Sequence, residues 1–295
     1  MATSSTLSNS YILLNGNFHT QTGTIFNIYN RALQYGDCIT ETIHTCADRL
    51  CFVDRHLKHL RDAMKIAMMN IPEKFFNTNK IFSQEISKLL TRNRTFKGST
   101  LKIKVFRSSI ASNPNINDNI EYVIYSHQLE SLGYEFNTNG LKLGMLTGTH
   151  VAPTIMSGYD THDNAIIKVI AKKKCIKDKL NDMILVNFDG NIVETAHLGN
   201  IFLIQDKILK TPPLSDGCLG DVMRSIILET AAKNGYSVVY DSHITEEDIK
   251  KAEEMFVAST EIGIKWVSAY KTCRFMRTKT KQLFEIINNL YLAEQ

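Results

Sequence analysis

The chain has 295 residues, a net charge of +4, and 43% apolar and 22% charged side chains, an ordinary globular balance with length for one large domain or two smaller ones. Its longest apolar runs, such as YILL and DNAIIKVIA, fall far short of the roughly 20 residues a membrane span needs, and the start MATSSTLSNS lacks a charged-then-apolar leader pattern, so a cytoplasmic protein is expected. The six cysteines (38, 46, 51, 175, 218 and 273) form no C-x-x-C pair and no metal spacing with histidine, so reduced thiols and no metal are expected, while the one dense basic run, KVIAKKKCIKDK, carries no aromatics for base stacking, which argues against nucleic acid.

In chain order, YILLNGNFHT predicts a hairpin around Asn15-Gly16. CITETIHT alternates as a strand does. DRHLKHLRDAMKIAMM places Leu57, Leu60, Met64, Ala67 and Met68 on one helical face, with Asp54 as its N-cap. A second helix at about 82–92 leads into the strands STLKIKVFRSS and NIEYVIYSHQL. These elements do not strictly alternate, which predicts an α+β domain over 1–127. SLGYEFNTNG reads as a linker, expected at 128–137, to a strand-rich domain over 138–295. There the pattern predicts the strands LKLGML, MILVNF, NIFLIQ, KILK, SVVYDS, MFVAST and IKWVSAY. Helices are expected at about 163–177 and 219–234, with TKQLFEIINNLYLAE closing the chain.

Six stretches, in order and at consistent spacing, carry a resemblance: NRALQYGDCITETI, FVDRHLKHL, LKIKVFR, MILVNFDGNIVETAHLGNIFLI, ILKTPPLSDGCL and MFVASTEIGIKWVSAY. Together the chain resembles the class IV aminotransferases, the pyridoxal 5′-phosphate (PLP) enzymes that include branched-chain and D-amino acid aminotransferases and aminodeoxychorismate lyase. The resemblance implies an α+β fold of two domains, a small α/β sandwich and a pseudo-barrel, with the cofactor cleft between them and a homodimer completing the site. It also implies an amino acid or related small anion as substrate. Glu194 matches the carboxylate that keeps the pyridine nitrogen protonated, so that the ring acts as an electron sink. At the phosphate end the match departs. His59 stands where the family has an arginine, replacing a permanent bidentate cation by a titratable ring. In LGDVMR, Asp221 replaces a glycine and Met223, after Val222, replaces a threonine hydroxyl. An aspartate in the first turn of that helix would repel a phosphate dianion. Ser259 and Thr260 match a turn that contacts cofactor phosphate or substrate, and a plain β-turn would use the same residues.

The Schiff-base lysine of the family precedes the helix that runs into MILVNFDGNIVE. Counted back from Asn187 without a gap, its position falls on Thr161, between Asp160 and His162. Lys168 lies seven residues further on, roughly 10 Å along a helix. It is predicted to face solvent, opposite a buried arc of Ala165, Ile166, Ile167, Val169 and Ile170. The lost lysine would anchor the aldehyde and move the α-proton. A threonine hydroxyl forms no imine, and His162 is the one nearby group able to carry a proton, although a histidine at a helix start also serves as a cap. Tyr35 matches an aromatic of the family's substrate pocket and would otherwise be a core tyrosine. Lys102, Lys104 and Arg107 lie on a strand that in relatives offers a cation to the substrate carboxylate, the two lysines on one face and Arg107 on the other. Two readings follow: PLP-type amino acid chemistry impaired by the missing lysine, with PLP non-covalent if it binds, or a non-catalytic homodimer that binds a small anionic metabolite.

Overall fold

The structure, a computed structural model, describes residues 10–22, 26–75, 80–108, 117–161 and 163–293. His162, the expected proton carrier, lies outside them. The chain divides into two compact units, one of residues 1–133, 160–163 and 291–295 and the other of 134–159 and 164–290.

In the first unit, β1 (Tyr11–Leu14) and β2 (Asn17–Thr20) form the expected hairpin. Asn15 and Gly16 both take positive φ, 51° and 85°, the turn whose twist matches that of the strands. There follow α1 (Arg31–Tyr35), β3 (Cys38–Cys46), β4 (Arg49–Leu50), α2 (Val53–Ile66), α3 (Lys80–Arg92), β5 (Ser99–Arg107) and β6 (Ile120–Gln128). The sheet runs β2-β1-β6-β5-β3-β4. After β7 (Leu141–Met145), a strand of the other unit, β8 (Asp160–Thr161) pairs antiparallel with β3.

β3 is a strand as expected, but it is buried on both faces rather than alternately. The helix α2 packs on one face, while Cys38 on the other joins Ile12, Phe106 and Val123. Two details of α2 differ from the sequence reading. Its N-cap is Phe52, at φ 50°, with Asp54 inside the first turn, where a carboxylate still meets the positive end of the helix. Its apolar face is Leu57, Leu60, Ala63 and Met64. Ala67 is the C-cap, and Met68, at φ 56°, is 79% exposed because the chain leaves the helix there.

The second unit continues from β7 through α4 (Ala165–Asp178), β9 (Asp182–Val186), β10 (Ile192–Thr195), β11 (Asn200–Gln205), β12 (Ile208–Lys210), α5 (Val222–Lys233) and β13 (Ser237–Val239). It ends with α6 (Glu246–Lys251), β14 (Glu254–Ser259), β15 (Gly263–Tyr270), β16 (Cys273–Arg274) and α7 (Thr278–Ala293), whose last residues belong to the first unit. Its sheet runs β10-β9-β7-β15-β14-β11-β12-β13. Leu143, Ile184, Ile201, Leu203, Met255, Val257 and Val267 fill one side of it.

The helix α4 reverses an expectation. Ile166, Val169 and Ile170 are 72%, 54% and 47% exposed, while Ala171 and Cys175 are buried. These two pack with Leu146, Met183 and Leu185, and Ile167 lies against them. Lys168, three residues before Ala171, therefore lies half-buried on the inward arc and does not face solvent. Periodicity misled here because Ile166, Val169 and Ile170 point outward while Ala171 and Cys175, with Ile167, seat the helix on the sheet. No helix of the described residues is long and apolar enough to cross a membrane.

Candidate functional site

In the first unit the polar centre is a clamp between β3 and α2. Glu41, 6% exposed, accepts hydrogen bonds from His56 Nδ1 at 2.5 Å and from His59 Nδ1 at 2.7 Å. Burial alone would raise the Glu41 pKa, but the hydrogen bonds and charge of the two histidines outweigh it and hold the carboxyl below its ordinary value. His59, at the position expected to meet a phosphate, is thus tied to an internal carboxylate. Lys58 and Arg61, its flanking cations, bond to Asp62 and to the Phe75 carbonyl.

Thr161 stands opposite Ile39 in the β3–β8 ladder, and its hydroxyl donates to Asp163 Oδ2 at 2.9 Å. Directly opposed residues of an antiparallel ladder share a face. Thr161 therefore lies on the Glu41 side of the sheet. Asp160, opposite Thr40, lies on the other side with Lys104, also opposite Thr40, and with Lys102, opposite Thr42. Both lysines are half-buried. Their shared face follows the sequence alternation.

Arg107 is on the Glu41 side, and its guanidinium is committed to structure. It bonds Asp37 at 2.6 Å, Asp118 at 3.2 Å and the Ala67 carbonyl at the end of α2. Tyr35 is 63% exposed beneath the Arg31 guanidinium, which excludes the core reading of that tyrosine.

In the second unit, Glu194 on β10 is half-buried, and its Oε2 accepts from the Leu219 N–H at 3.0 Å. Just beyond, Asp221 is the N-cap of α5 rather than a residue of its first turn. Its carboxylate does more than cap. Oδ1 accepts from the Met223 N–H at 2.6 Å and from the Thr260 hydroxyl at 2.6 Å, and Oδ2 accepts from the Thr260 N–H at 2.9 Å.

Thr260 is also held by Tyr134, whose hydroxyl donates to its carbonyl at 2.7 Å. The tight turn between β14 and β15 makes room for that ring. Gly263 has φ 67°, and a Cβ there would lie 2.5 Å from the Tyr134 ring. Ser259, Val222 and Met223 are buried. Met223 thus offers its backbone N–H to Asp221 and its side chain to the core.

Glu41 and Asn200 went unremarked in the sequence. A signal for Glu41 existed: His56 and His59, three residues apart, must share a helix face, and that face packs on β3. Asn200 gives no sequence signal. Its side-chain amide is fully buried, and neither end has a hydrogen-bond partner among the described residues.

The amino-transferase class IV family model matches residues 39–270. The chain belongs to that family. Among curated relatives, an aminodeoxychorismate lyase of Vibrio harveyi is 22% identical over 242 residues, covering 81% of this chain and 85% of the relative. A branched-chain-amino-acid aminotransferase-like protein of Arabidopsis thaliana is also 22% identical, over 79% of this chain, which spans only 41% of that longer protein. Among solved structures, the branched-chain aminotransferase of Thermoproteus uzoniensis with norvaline superposes with a TM-score of 0.84 at 18% identity, covering 97% of this chain and 96% of that one. At such identity the likeness establishes the class IV fold, which is the α+β architecture expected from the sequence.

Proposed function

We propose that this class IV chain has left covalent cofactor chemistry and binds a small anionic amino or oxo acid on the face that carries Lys102 and Lys104. The observation that supports the reading is the Thr161 hydroxyl donating to Asp163, at the position that the sequence resemblance assigns to the lysine. PLP is the cofactor the family implies, and the residues here do not fit it. Thr161 cannot form an imine. His59 is bonded to Glu41, and the donors at the start of α5 and at Thr260 serve Asp221. The proposed activity therefore contains no cofactor step. Lys102 and Lys104 supply two cationic stems on one half-buried sheet face, a setting in which a carboxylate gains charge-assisted hydrogen bonds.

A second reading has one observation in its favour. Glu194 keeps a half-buried carboxylate where the family holds the ring nitrogen, which would suit PLP bound without a covalent link. A homodimer accords with the exposed Ile166, Val169 and Ile170 of α4, an apolar stripe that a second copy would cover.

The test is to add PLP to the purified chain, reduce with borohydride and map the mass. In parallel, amino and oxo acids are titrated by calorimetry into wild type and a Lys102→Ala/Lys104→Ala variant. The expectation is no pyridoxyl mass on any lysine, and heats of oxo or amino acid binding that vanish in the double variant. A yellow protein with a reduced adduct on a lysine would overturn the proposal.

A further inference from the structure

Three donors, the Met223 N–H, the Thr260 N–H and the Thr260 hydroxyl, converge within 2.6–2.9 Å on one carboxylate. Two of them are backbone groups from different elements, the start of α5 and the turn after β14. A helix start with backbone amides aimed outward is suited to an anion, and here the anion is part of the chain. We propose that Asp221 is a built-in occupant of these donors, so that the protein excludes 5′-phosphorylated ligands while the α5 start and the Thr260 turn stay joined without one. The inference goes beyond the lost lysine and can fail separately from it.

An ordinary N-cap satisfies one or two amides of its own helix, and bonding both the amide and the hydroxyl of a residue 39 positions away is not needed for capping. A tethered carboxylate competes as an intramolecular ligand, at an effective concentration of at least about millimolar. A phosphate must displace it and, if the carboxylate stays near, suffer like-charge repulsion. Nearby hydroxyl help is reduced as well, because position 223 is a methionine with a fully buried side chain. Tyr134 fixes the Thr260 carbonyl, so the turn is poised to present its N–H and hydroxyl in the same direction whether or not Asp221 is there.

The experiment uses the full chain as wild type, Asp221→Gly and Asp221→Ser. Glycine is tolerated at an N-cap, and serine keeps a neutral capping oxygen. Each is titrated by calorimetry with pyridoxal 5′-phosphate, pyridoxal and inorganic phosphate, after circular dichroism and melting confirm folding. Wild type is expected to show no preference for the phosphorylated aldehyde over pyridoxal. Either folded variant is expected to gain a preference of about 100-fold, with inorganic phosphate competing. A wild type that already prefers the phosphorylated form by that margin overturns the proposal, as does a pair of folded variants with no gain. Borohydride mass mapping separates the two ideas. Phosphate-dependent binding by wild type without a lysine adduct sinks the Asp221 occupant alone, whereas an adduct on a lysine with no phosphate preference sinks the lost-lysine reading alone.

Discussion

Replacing Glu41 by glutamine tests how the clamp between β3 and α2 works. An ionised carboxylate only accepts hydrogen bonds, so both His56 and His59 present Nδ1–H to it, at 2.5 and 2.7 Å. Glutamine has one accepting oxygen and one donating nitrogen. Its NH₂ must face one histidine, which then has to move its proton to Nε2. His56 is 1% exposed and its Nε2 has no hydrogen-bond partner among the described residues, so an N–H there would be a buried, unmet donor. His59 is more open, with its side chain 19% exposed, and changes tautomer at lower cost. The oxygen of the introduced glutamine should therefore face His56. Each charge-assisted bond, worth about 1.5–3 kcal/mol, falls to a neutral one of about 0.5–1.5 kcal/mol. Two such losses give about 2–3 kcal/mol, and Glu41→Ala, which leaves both donors unmet, should cost about 3–5 kcal/mol. At about 2–4 °C per kcal/mol for a chain of this order of size, the glutamine variant should melt roughly 6 °C lower. The pH dependence has a definite sign. Because the folded pKa lies below the ordinary 4.5, the stabilisation is complete above that value and disappears as pH falls through the folded pKa. Urea unfolding at pH 7 and at pH 4 would measure both effects. A glutamine variant within 1 °C of wild type, or one with the same acid sensitivity, would refute this account of the clamp.

Other consequences follow from the second unit. Asn200→Leu should be neutral or stabilising by about 1 kcal/mol, because a similar-sized apolar side chain replaces an amide with two unmet ends; a loss above 1 kcal/mol in urea would mean that the amide meets a group after all. The His243 Nδ1 lies 2.8 and 2.9 Å from the two oxygens of buried Asp216, and that hydrogen bond and charge raise its pKa above 6.5. Its stabilisation is thus present below about pH 6.5 and lost as pH rises through the folded value, and NMR titration of Asp216→Asn should bring His243 down towards the ordinary range. A charge at the apolar stripe, Ile170→Glu, should shift the chain towards monomer in light scattering without lowering its melting point, since Ile170 is 47% exposed in the single chain.

What was legible in the sequence had a local cause. The Asn15-Gly16 hairpin is fixed by two positive φ angles, and β5 and β6 are strands that pair antiparallel as expected, although their burial does not alternate cleanly. The apolar face of α2 was legible as far as Met64, beyond which the chain turns left-handed at Met68. The inward face of α4 was not legible, because period-3.6 reasoning assumes that the largest apolar side chains point to the protein's own core. On α4 Ile166, Val169 and Ile170 point away from it, and Ala171 and Cys175, with Ile167, do the seating. The site divides in the same way. Asp221 announced itself as a helix-start residue, but its bonds to Thr260 join residues 39 positions apart and have no local signature.

The polar groups that the sequence resemblance assigns to cofactor contacts share one property, which bears on the choice between the two functional readings. A catalytic site holds donors aimed at where a ligand's charge will be, unsatisfied by the protein itself. Here His59 is satisfied by Glu41, the Thr161 hydroxyl by Asp163, and the Met223 and Thr260 donors by Asp221. Each of these groups thus has an internal partner in place. Glu194 is also held, by the Leu219 N–H, which accounts for its place in the second unit on structural grounds as well as on those of a cofactor. Closure of these groups within the chain accords with the proposed reading, in which they serve the fold rather than a covalent cofactor. The cationic stems of Lys102 and Lys104 lie half-buried across from Thr42 and Thr40.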